Sequence, residues 1–141
     1  MKANSRTERE VKARITELAD AYAKRDLKGT LACFAPDADV VLYGTGADEK
    51  RIGMEEIRMQ VERDWAQTEQ AAMAFEWISV SGAGKVAWVA VDGSFRFKAN
   101  GQDGSFPARV SFVLEKRGAR WLIVHAHFST PAPGQEEGAS F

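Results

Sequence analysis

The sequence predicts an α+β domain in which three N-terminal helices pack on a mostly antiparallel sheet. Apolar residues recur at helical steps of three and four in the first part of the chain, and strand-like alternation replaces that period after residue 70. Short glycine-containing segments connect the later strands, and such hairpin connections join antiparallel strands. We therefore expect one domain over residues 1–130 and a loose tail over residues 131–141.

The helices are predicted from their apolar stripes and caps. The first helix has one apolar stripe, formed by Val11, Ile15, Leu18 and Tyr22. Its predicted N-cap is Ser5 or Thr7. Asp26 is the predicted N-cap of a short second helix, which ends before Pro36 because the residue before a proline avoids the α region. Gly53 opens a third helix, in which the charged residues 62–64 are expected to face away from the core.

Five strands are predicted, at 38–43, 71–80, 85–98, 106–116 and 120–129. The polar, glycine-containing segment 44–50 is predicted to be a loop.

The two faces of the sheet are predicted from alternation along the strands. In the last strand the residues expected to face the helices are Leu122, Val124, Ala126 and Phe128. Those expected on the outer face are Trp121, Ile123, His125, His127 and Ser129. In the second long strand, Val86, Trp88 and Ala90 oppose the series Ala87, Val89, Val91, Phe95 and Phe97. Neither face is cleanly polar, so we expect a second copy to cover the outer face and form a homodimer. A bulge that changes the facing of one strand is the alternative.

Composition excludes several classes of function. The chain has 141 residues, with 19 Lys and Arg against 20 Asp and Glu, and this balance argues against a nucleic-acid binder. No apolar run approaches the roughly 20 residues of a membrane span, and the charged N-terminal segment does not resemble a secretory signal. The single cysteine, Cys33, cannot form an internal disulfide, so a cytoplasmic location is expected.

Three passages carry a family resemblance. They are Asp26–Val40 (DLKGTLACFAPDADV), Ile52–Ile57 (IGMEEI) and Trp121–Ser129 (WLIVHAHFS). Together, and in this order, they resemble the nuclear transport factor 2-like superfamily and its SnoaL-like branch. The resemblance implies a cone-shaped, strongly curved sheet around the helices, an apolar pocket inside the cone, and frequent dimerisation. Members of this superfamily include enzymes such as ketosteroid isomerase, cyclases and dehydratases, and also binding and assembly domains.

The resemblance does not carry over the isomerase chemistry. The catalytic tyrosine, base and acid of ketosteroid isomerase fall at Leu18, at Leu42 and near Ser111 or Phe112 of this sequence. Leucine can neither transfer a proton nor stabilise an oxyanion. The predicted ligand-binding positions are instead Tyr22, Phe34, Leu42, Trp65, Phe112 and Phe128. These residues either line a pocket for a flat, apolar molecule or simply fill the core.

Two residues are weak catalytic candidates, His127 as an acid–base group and Asp92 as a buried acid. Alternatively, Asp92-Gly93 marks a bend in a long strand. His125 and His127 have a spacing that suits metal ligation, but no third ligand follows at a recognisable spacing, so no metal or cofactor is expected.

Three functions therefore stay open. They are a small-molecule-binding protein of unassigned activity, an isomerase, cyclase or dehydratase that uses His127 or Asp92, and a non-catalytic dimeric assembly domain.

Overall fold

A computed structural model describes the whole chain, from Met1 to Phe141. The helices are α1 (Ser5–Ala23), α2 (Leu27–Leu31) and α3 (Gly53–Ala66). The strands are β1 (Val41–Tyr43), β2 (Lys50–Ile52), β3 (Gln70–Ala83), β4 (Val86–Ala99), β5 (Gln102–Arg117) and β6 (Arg120–Ser129). Residues 131–141 form neither helix nor strand and are exposed. No helix is both long and apolar enough to cross a membrane.

The six strands form one sheet in the order β2-β1-β6-β5-β4-β3. All neighbouring strands are antiparallel except β1 and β6, which run parallel. The curved sheet packs on the helices, so the predicted α+β class is confirmed. The predicted loop at 44–50 is wrong at its end, because Lys50 begins β2, whose three residues pair with β1. A strand of three residues, two of them basic, is too short to show the alternation of apolar and polar residues from which strands are predicted.

The helix caps confirm one prediction and correct another. Asp26 caps α2, since its side chain accepts a hydrogen bond from the backbone nitrogen of Gly29 at 2.9 Å. Helix α1 is capped by Asn4 rather than by Ser5 or Thr7, and the Asn4 side chain accepts from the nitrogen of Thr7 at 2.8 Å. The predicted apolar stripe of α1 is buried against the sheet.

Helix α1 also ends with a tether to α3. Arg25, just beyond α1, has a positive φ of 57°. Its guanidinium donates to the backbone oxygens of Trp65 and Thr68 at 2.6 and 2.8 Å, and to the Thr68 hydroxyl at 3.1 Å. The C-terminal ends of α1 and α3 are therefore held together.

A bulge in β6 overturns the predicted facing of its first half. The β5–β6 register shifts, so that His125 pairs with Val113 but Ile123 pairs with Leu114, and Val124 is left between them. Trp121 and Ile123 consequently lie on the helix side, where both are buried. The indole nitrogen of Trp121 donates to Glu10 of α1 at 3.0 Å. Only the second half of the strand keeps the predicted facing, with Ala126 and Phe128 buried and His127 exposed.

The alternation predicted for β4 is confirmed. Ala87, Val89 and Val91 are buried, whereas Val86 and Trp88 are exposed on the outer face. The β3–β4 register shifts between Phe75 and Trp77, directly opposite Asp92 and Gly93. The bend predicted at Asp92-Gly93 therefore coincides with a bulge in the neighbouring strand.

Candidate functional site

A cavity of about 240 Å³ lies between the helices and the inner face of the sheet. Most of its lining residues are apolar, including Leu18 from α1, Phe34 beyond α2 and Leu42 from β1. Its rim is formed by the β1–β2 connection on one side and by β3 and β4 on the other. The cavity is therefore an apolar space to which every layer of the fold contributes.

Six phenylalanines run from the rim of the cavity into the core, and we call them the phenylalanine ladder. In order of contact they are Phe97, Phe106, Phe95, Phe128, Phe112 and Phe75, with successive ring centroids 6.2, 5.1, 5.8, 5.7 and 6.1 Å apart. The ladder follows from the sheet register, since Phe95 and Phe97 share a face of β4 and Phe106 is the cross-strand partner of Phe95. Its first four rings line the cavity.

A group of four polar residues, which we call the polar cluster, also lines the cavity. It consists of Tyr22, Glu49, Gln60 and Asp64. The Tyr22 hydroxyl donates to Asp64 Oδ2 at 2.9 Å. The Gln60 amide donates to Asp64 Oδ1 at 2.7 Å and to Glu49 Oε1 at 3.1 Å. The cluster therefore joins α1, α3 and the residue preceding β2.

Burial changes the acidity of two members of this cluster. It raises the pKa of Asp64 above the usual carboxyl value, although the hydrogen bonds from Gln60 and Tyr22 oppose the change. Burial and the neighbouring Asp64 carboxylate also raise the pKa of Tyr22, so this phenol keeps its proton at neutral pH. The pair thus consists of a permanent hydroxyl donor and a carboxyl group that binds protons more readily than an exposed one.

Ion pairs and hydrogen bonds from neighbouring residues hold the polar cluster in place. Arg63 contacts Glu49 at 3.0 Å and Asp48 at 2.7 Å. Arg51 donates to the Gln60 side-chain oxygen at 2.9 Å, and the backbone nitrogen of Gly46 donates to Glu49 at 2.7 Å. These contacts hold the β1–β2 connection against α3 and orient the amide of Gln60 toward Asp64.

Four of the six predicted ligand-binding residues line the cavity, namely Tyr22, Phe34, Leu42 and Phe128. The other two lie behind it. The Trp65 ring packs against Tyr22 at 5.8 Å, and Phe112 is fully buried beneath Phe128. The structure therefore places Trp65 and Phe112 as supports of the cavity wall.

Both predicted catalytic candidates lie on the outer face of the sheet, separated from the cavity by the strands. His127 is exposed, and its ring centroid is 5.1 Å from that of Tyr43. Asp92 is exposed beside Arg109 and Trp77 in the strand register. The Ser129 hydroxyl on the neighbouring position of β6 donates to the Arg109 backbone oxygen at 3.1 Å. No group of three or more His, Cys, Asp and Glu side chains that could hold a metal ion occurs in the chain.

Sequence reasoning missed Gln60 and Asp64. Asp64 was expected to face away from the core with its charged neighbours, and the structure corrects this, since it lines the cavity. The signal was present in the spacing, because Ile57, Gln60, Val61 and Asp64 follow the i, i+3, i+4, i+7 pattern of one helix face. This pattern was missed because the charged residues of the helix were all expected to face the solvent.

Solved structures share this architecture. A candidate calcium/calmodulin-dependent protein kinase II association domain from Xanthomonas campestris is 28% identical, with a TM-score of 0.78, and the match covers 89% of this chain and 88% of that one. A nuclear transport factor 2-like superfamily protein from Salmonella enterica is 21% identical, with a TM-score of 0.85 and coverage of 99% and 100%. A protein of unknown function from Pseudomonas putida with the same fold is 20% identical, with a TM-score of 0.79 and coverage of 98% and 96%.

None of the curated proteins compared with the chain matches it. The family model of the SnoaL-like domain does match, over residues 11–133, which include all the long strands, the cavity and the polar cluster. The chain therefore belongs to the SnoaL-like family of the nuclear transport factor 2-like superfamily.

Proposed function

We propose that this protein binds a small, flat, largely apolar molecule in its cavity and holds the polar group of that molecule against the polar cluster. The observation that carries the proposal is the composition of one cavity, which is lined by four rings of the phenylalanine ladder and by a hydrogen-bonded tyrosine–carboxyl pair. Ligand sites typically combine an apolar wall with a few polar groups that fix orientation.

The size of the cavity limits the ligand. Liquid water occupies about 30 Å³ per molecule, so a cavity of this size accepts on the order of ten non-hydrogen atoms. Aromatic walls favour ring-containing molecules, because ring pairs gain about 0.5–1.5 kcal/mol beyond the burial of their area. One or two fused rings with a short polar arm fit both limits.

The test is calorimetric titration with 2-naphthalenemethanol, a neutral two-ring alcohol. We expect Phe106→Ala to weaken its binding about tenfold, because this ring lines the cavity and contacts two other rungs of the ladder. Trp88→Ala is the matched control, since it removes an aromatic ring from the outer face. Equal affinity in the two variants would contradict binding in the cavity.

A second proposal concerns the outer face, which we suggest joins two copies of the chain. Two exposed tryptophans favour it, because the Trp77 and Trp88 side chains are 55% and 40% exposed on neighbouring strands. Asp92 and Arg109 lie opposite each other on this face, and neither forms an ion pair within the chain. A two-fold axis that passes between them would bring each of them near its opposite charge on the partner.

Sedimentation measures this association directly. We expect twice the monomer mass for the native chain and the monomer mass for Trp88→Glu, which places a charge at the centre of the proposed interface. Arg9→Glu is the control, because Arg9 is exposed on α1, away from this face. A native monomer at micromolar concentration would refute the dimer.

Catalysis by His127 or Asp92 is a separate hypothesis, which needs a substrate at the outer face. If His127→Ala leaves both binding and any turnover unchanged, the histidine has no catalytic role. Cys33 is buried as a free thiol, which supports the proposal of a reducing, cytoplasmic location. Imaging of the tagged protein in its own cells tests that location.

A further inference from the structure

The hydrogen-bond donors of the polar cluster are all in use. The Tyr22 hydroxyl donates to Asp64, and the two amide hydrogens of Gln60 go to Asp64 and Glu49. The nearby Thr68 hydroxyl donates to the backbone oxygen of Asp64 at 2.8 Å. The groups left over are acceptors, namely the lone pairs of the Tyr22 oxygen and of the Asp64 carboxylate. A ligand group that can only accept hydrogen bonds therefore finds no free donor among the side chains of the polar cluster.

Free donors among the cavity residues lie at the rim. Thr45, Gln67 and Arg96 line the opening, and all three are exposed. Water competes with a ligand for hydrogen bonds at such positions, so they add little selectivity. Water competes less for hydrogen bonds to the polar cluster, where Tyr22 and Gln60 are buried and Asp64 is half-buried. The polar cluster therefore decides which polar group is recognised, and it recognises a donor.

The charge of the polar cluster indicates what kind of donor is recognised. Glu49 has Arg63 as its cation, whereas Asp64 has no basic side chain within 4.0 Å and takes its hydrogen bonds from neutral groups. A carboxylate removed from water without a counter-ion is costly, and a cationic partner lowers that cost. A ligand that brings a positive charge would therefore complete this site.

The walls of the cavity accept a cation as well. Ring faces attract ammonium groups, and the effect strengthens where water is excluded. Tyr22, Phe106 and Phe128 surround the same space as the Asp64 carboxylate. An aromatic enclosure with one carboxylate is a suitable environment for a protonated amine on an apolar body.

We propose that the natural ligand is a small cationic amine on a ring-containing apolar body, with its ammonium group hydrogen-bonded to Asp64 and to the Tyr22 oxygen. This proposal rests on the proposed function, because it specifies the ligand class of the same cavity. It selects against carboxylates, which would meet the negative charge of Asp64, and against simple ketones, which have no donor.

The raised pKa of Asp64 gives the interaction a pH dependence. An amine needs the ionised carboxylate, so its affinity falls as the pH is lowered through the pKa of Asp64, whereas the affinity of a neutral ligand changes little. The other charged or titratable groups around the site are Tyr22, Arg25, Asp48, Glu49, Arg51, Arg63 and, at the opening, the exposed Arg96. Asp48 and Glu49 are both paired with Arg63, and this pairing lowers the pKa of Asp48.

The experiment compares three naphthalene probes that differ in one group. They are 2-naphthylmethylamine, 2-naphthalenemethanol and 2-naphthoic acid, titrated by calorimetry near neutral pH. Hydrogen bonds to charged groups contribute more than neutral ones, so we expect the amine to bind about tenfold or more tighter than the alcohol. We expect the acid to bind more weakly than the alcohol.

The Asp64→Asn variant isolates the charge. We expect it to lower the amine affinity to about that of the alcohol while leaving the alcohol affinity within about threefold. Tyr22→Phe removes the second acceptor and is expected to weaken the amine less. If Asp64→Asn does not fold, the pH titration of the native protein with amine and alcohol makes the same distinction.

The outcomes separate the two proposals. If amine and alcohol bind equally, or if Asp64→Asn changes neither, the amine inference is overturned but binding in the cavity stands. If no probe binds, or if Phe106→Ala affects none of them, the proposed function fails and the amine inference with it.

Discussion

The two ends of the helical layer hold their half-buried carboxyl groups, Glu10 and Asp64, in opposite ways. At one end, Glu10 of α1 accepts from Arg6 at 2.8 Å, from the Trp121 indole at 3.0 Å and from Lys116 at 3.4 Å. The hydrogen bonds from Arg6 and Trp121 lower the pKa of Glu10 to about 2. At the other end, Asp64 has only Tyr22 and Gln60 as donors, and burial raises its pKa.

The apolar residues around the two carboxyl groups also differ, in how deeply they are buried. Around the Glu10 end, Ile15, Leu114 and Ile123 are fully buried. Around the Asp64 end, Phe95, Phe97 and Phe106 are half-buried and face the cavity. The first end is therefore complete within the chain, whereas the second is incomplete both in packing and in charge. Ligand-binding sites are typically preformed cavities of this kind, which the chain itself does not fill.

The largest expected effect contrasts two rungs of the phenylalanine ladder. Phe112→Ala removes a fully buried ring and should lower the free energy of unfolding by about 3–5 kcal/mol. Phe106→Ala removes a half-buried ring at the cavity and should cost only about 1 kcal/mol. Urea denaturation measures both. Equal losses would show that the cavity wall is as tightly packed as the core, so that the two ends of the helical layer do not differ in packing.

The next effect concerns Glu10→Gln. Because the folded pKa of Glu10 is depressed, its ionised form contributes stability above the unfolded carboxyl pKa, and this contribution is lost as the pH falls toward about 2. We expect the variant to have a lower Tm than the native protein at neutral pH. The gap between the two should narrow as the pH falls from about 5 to about 2. A gap that stays constant with pH would mean that Glu10 acts through packing alone.

Asp64→Asn should show the opposite sign. Because the folded pKa of Asp64 is raised, its ionisation opposes folding, and this penalty is absent below the unfolded pKa of about 4 and grows as the pH rises through the folded pKa. The Tm of the variant relative to the native protein should therefore increase with pH. Thermal melts of both proteins across the acid and neutral range measure the difference, and a decrease with pH would contradict the assignment.

The smallest effect is expected at the rim. A Cβ atom added at Gly104 would clash with the end of the Phe97 ring, so Gly104→Ala must displace that ring. Since the ring is a movable side chain, the stability cost should stay below about 1 kcal/mol. Its position on the cavity rim should still change, and the affinity of 2-naphthalenemethanol with it. Ser105→Ala, next along the same exposed strand segment, is the control and should leave binding unaltered.

Much of the fold could be predicted from the sequence, because long elements repeat their pattern. The stripe from Val11 to Tyr22 and the alternation in β4 both extend over several residues and were confirmed. Strand β2 was missed because three residues cannot establish a period. The facing of Trp121 and Ile123 was wrong because one extra residue, Val124, inverts the alternation, and no composition marks a bulge.

The site could be predicted only in its apolar part. Tyr22, Phe34, Leu42 and Phe128 belong to apolar stripes that any packing of these elements turns inward. Asp64 and Gln60 acquire their role from Tyr22 and Glu49, which lie 42 and 11 residues away along the chain. A periodic pattern predicts the face of a helix or strand on which a residue lies. It does not predict which side chains from distant parts of the sequence contact that residue.

The tether made by Arg25 bears on how fast a ligand exchanges. Its three hydrogen bonds hold the ends of α1 and α3 together, next to Tyr22 and Asp64, which line the cavity. Separating these helices to admit a molecule would break all three bonds at once. We therefore expect ligands to enter and leave past the movable Phe97 side chain at the rim, so that the residence time of a bound molecule depends on that ring.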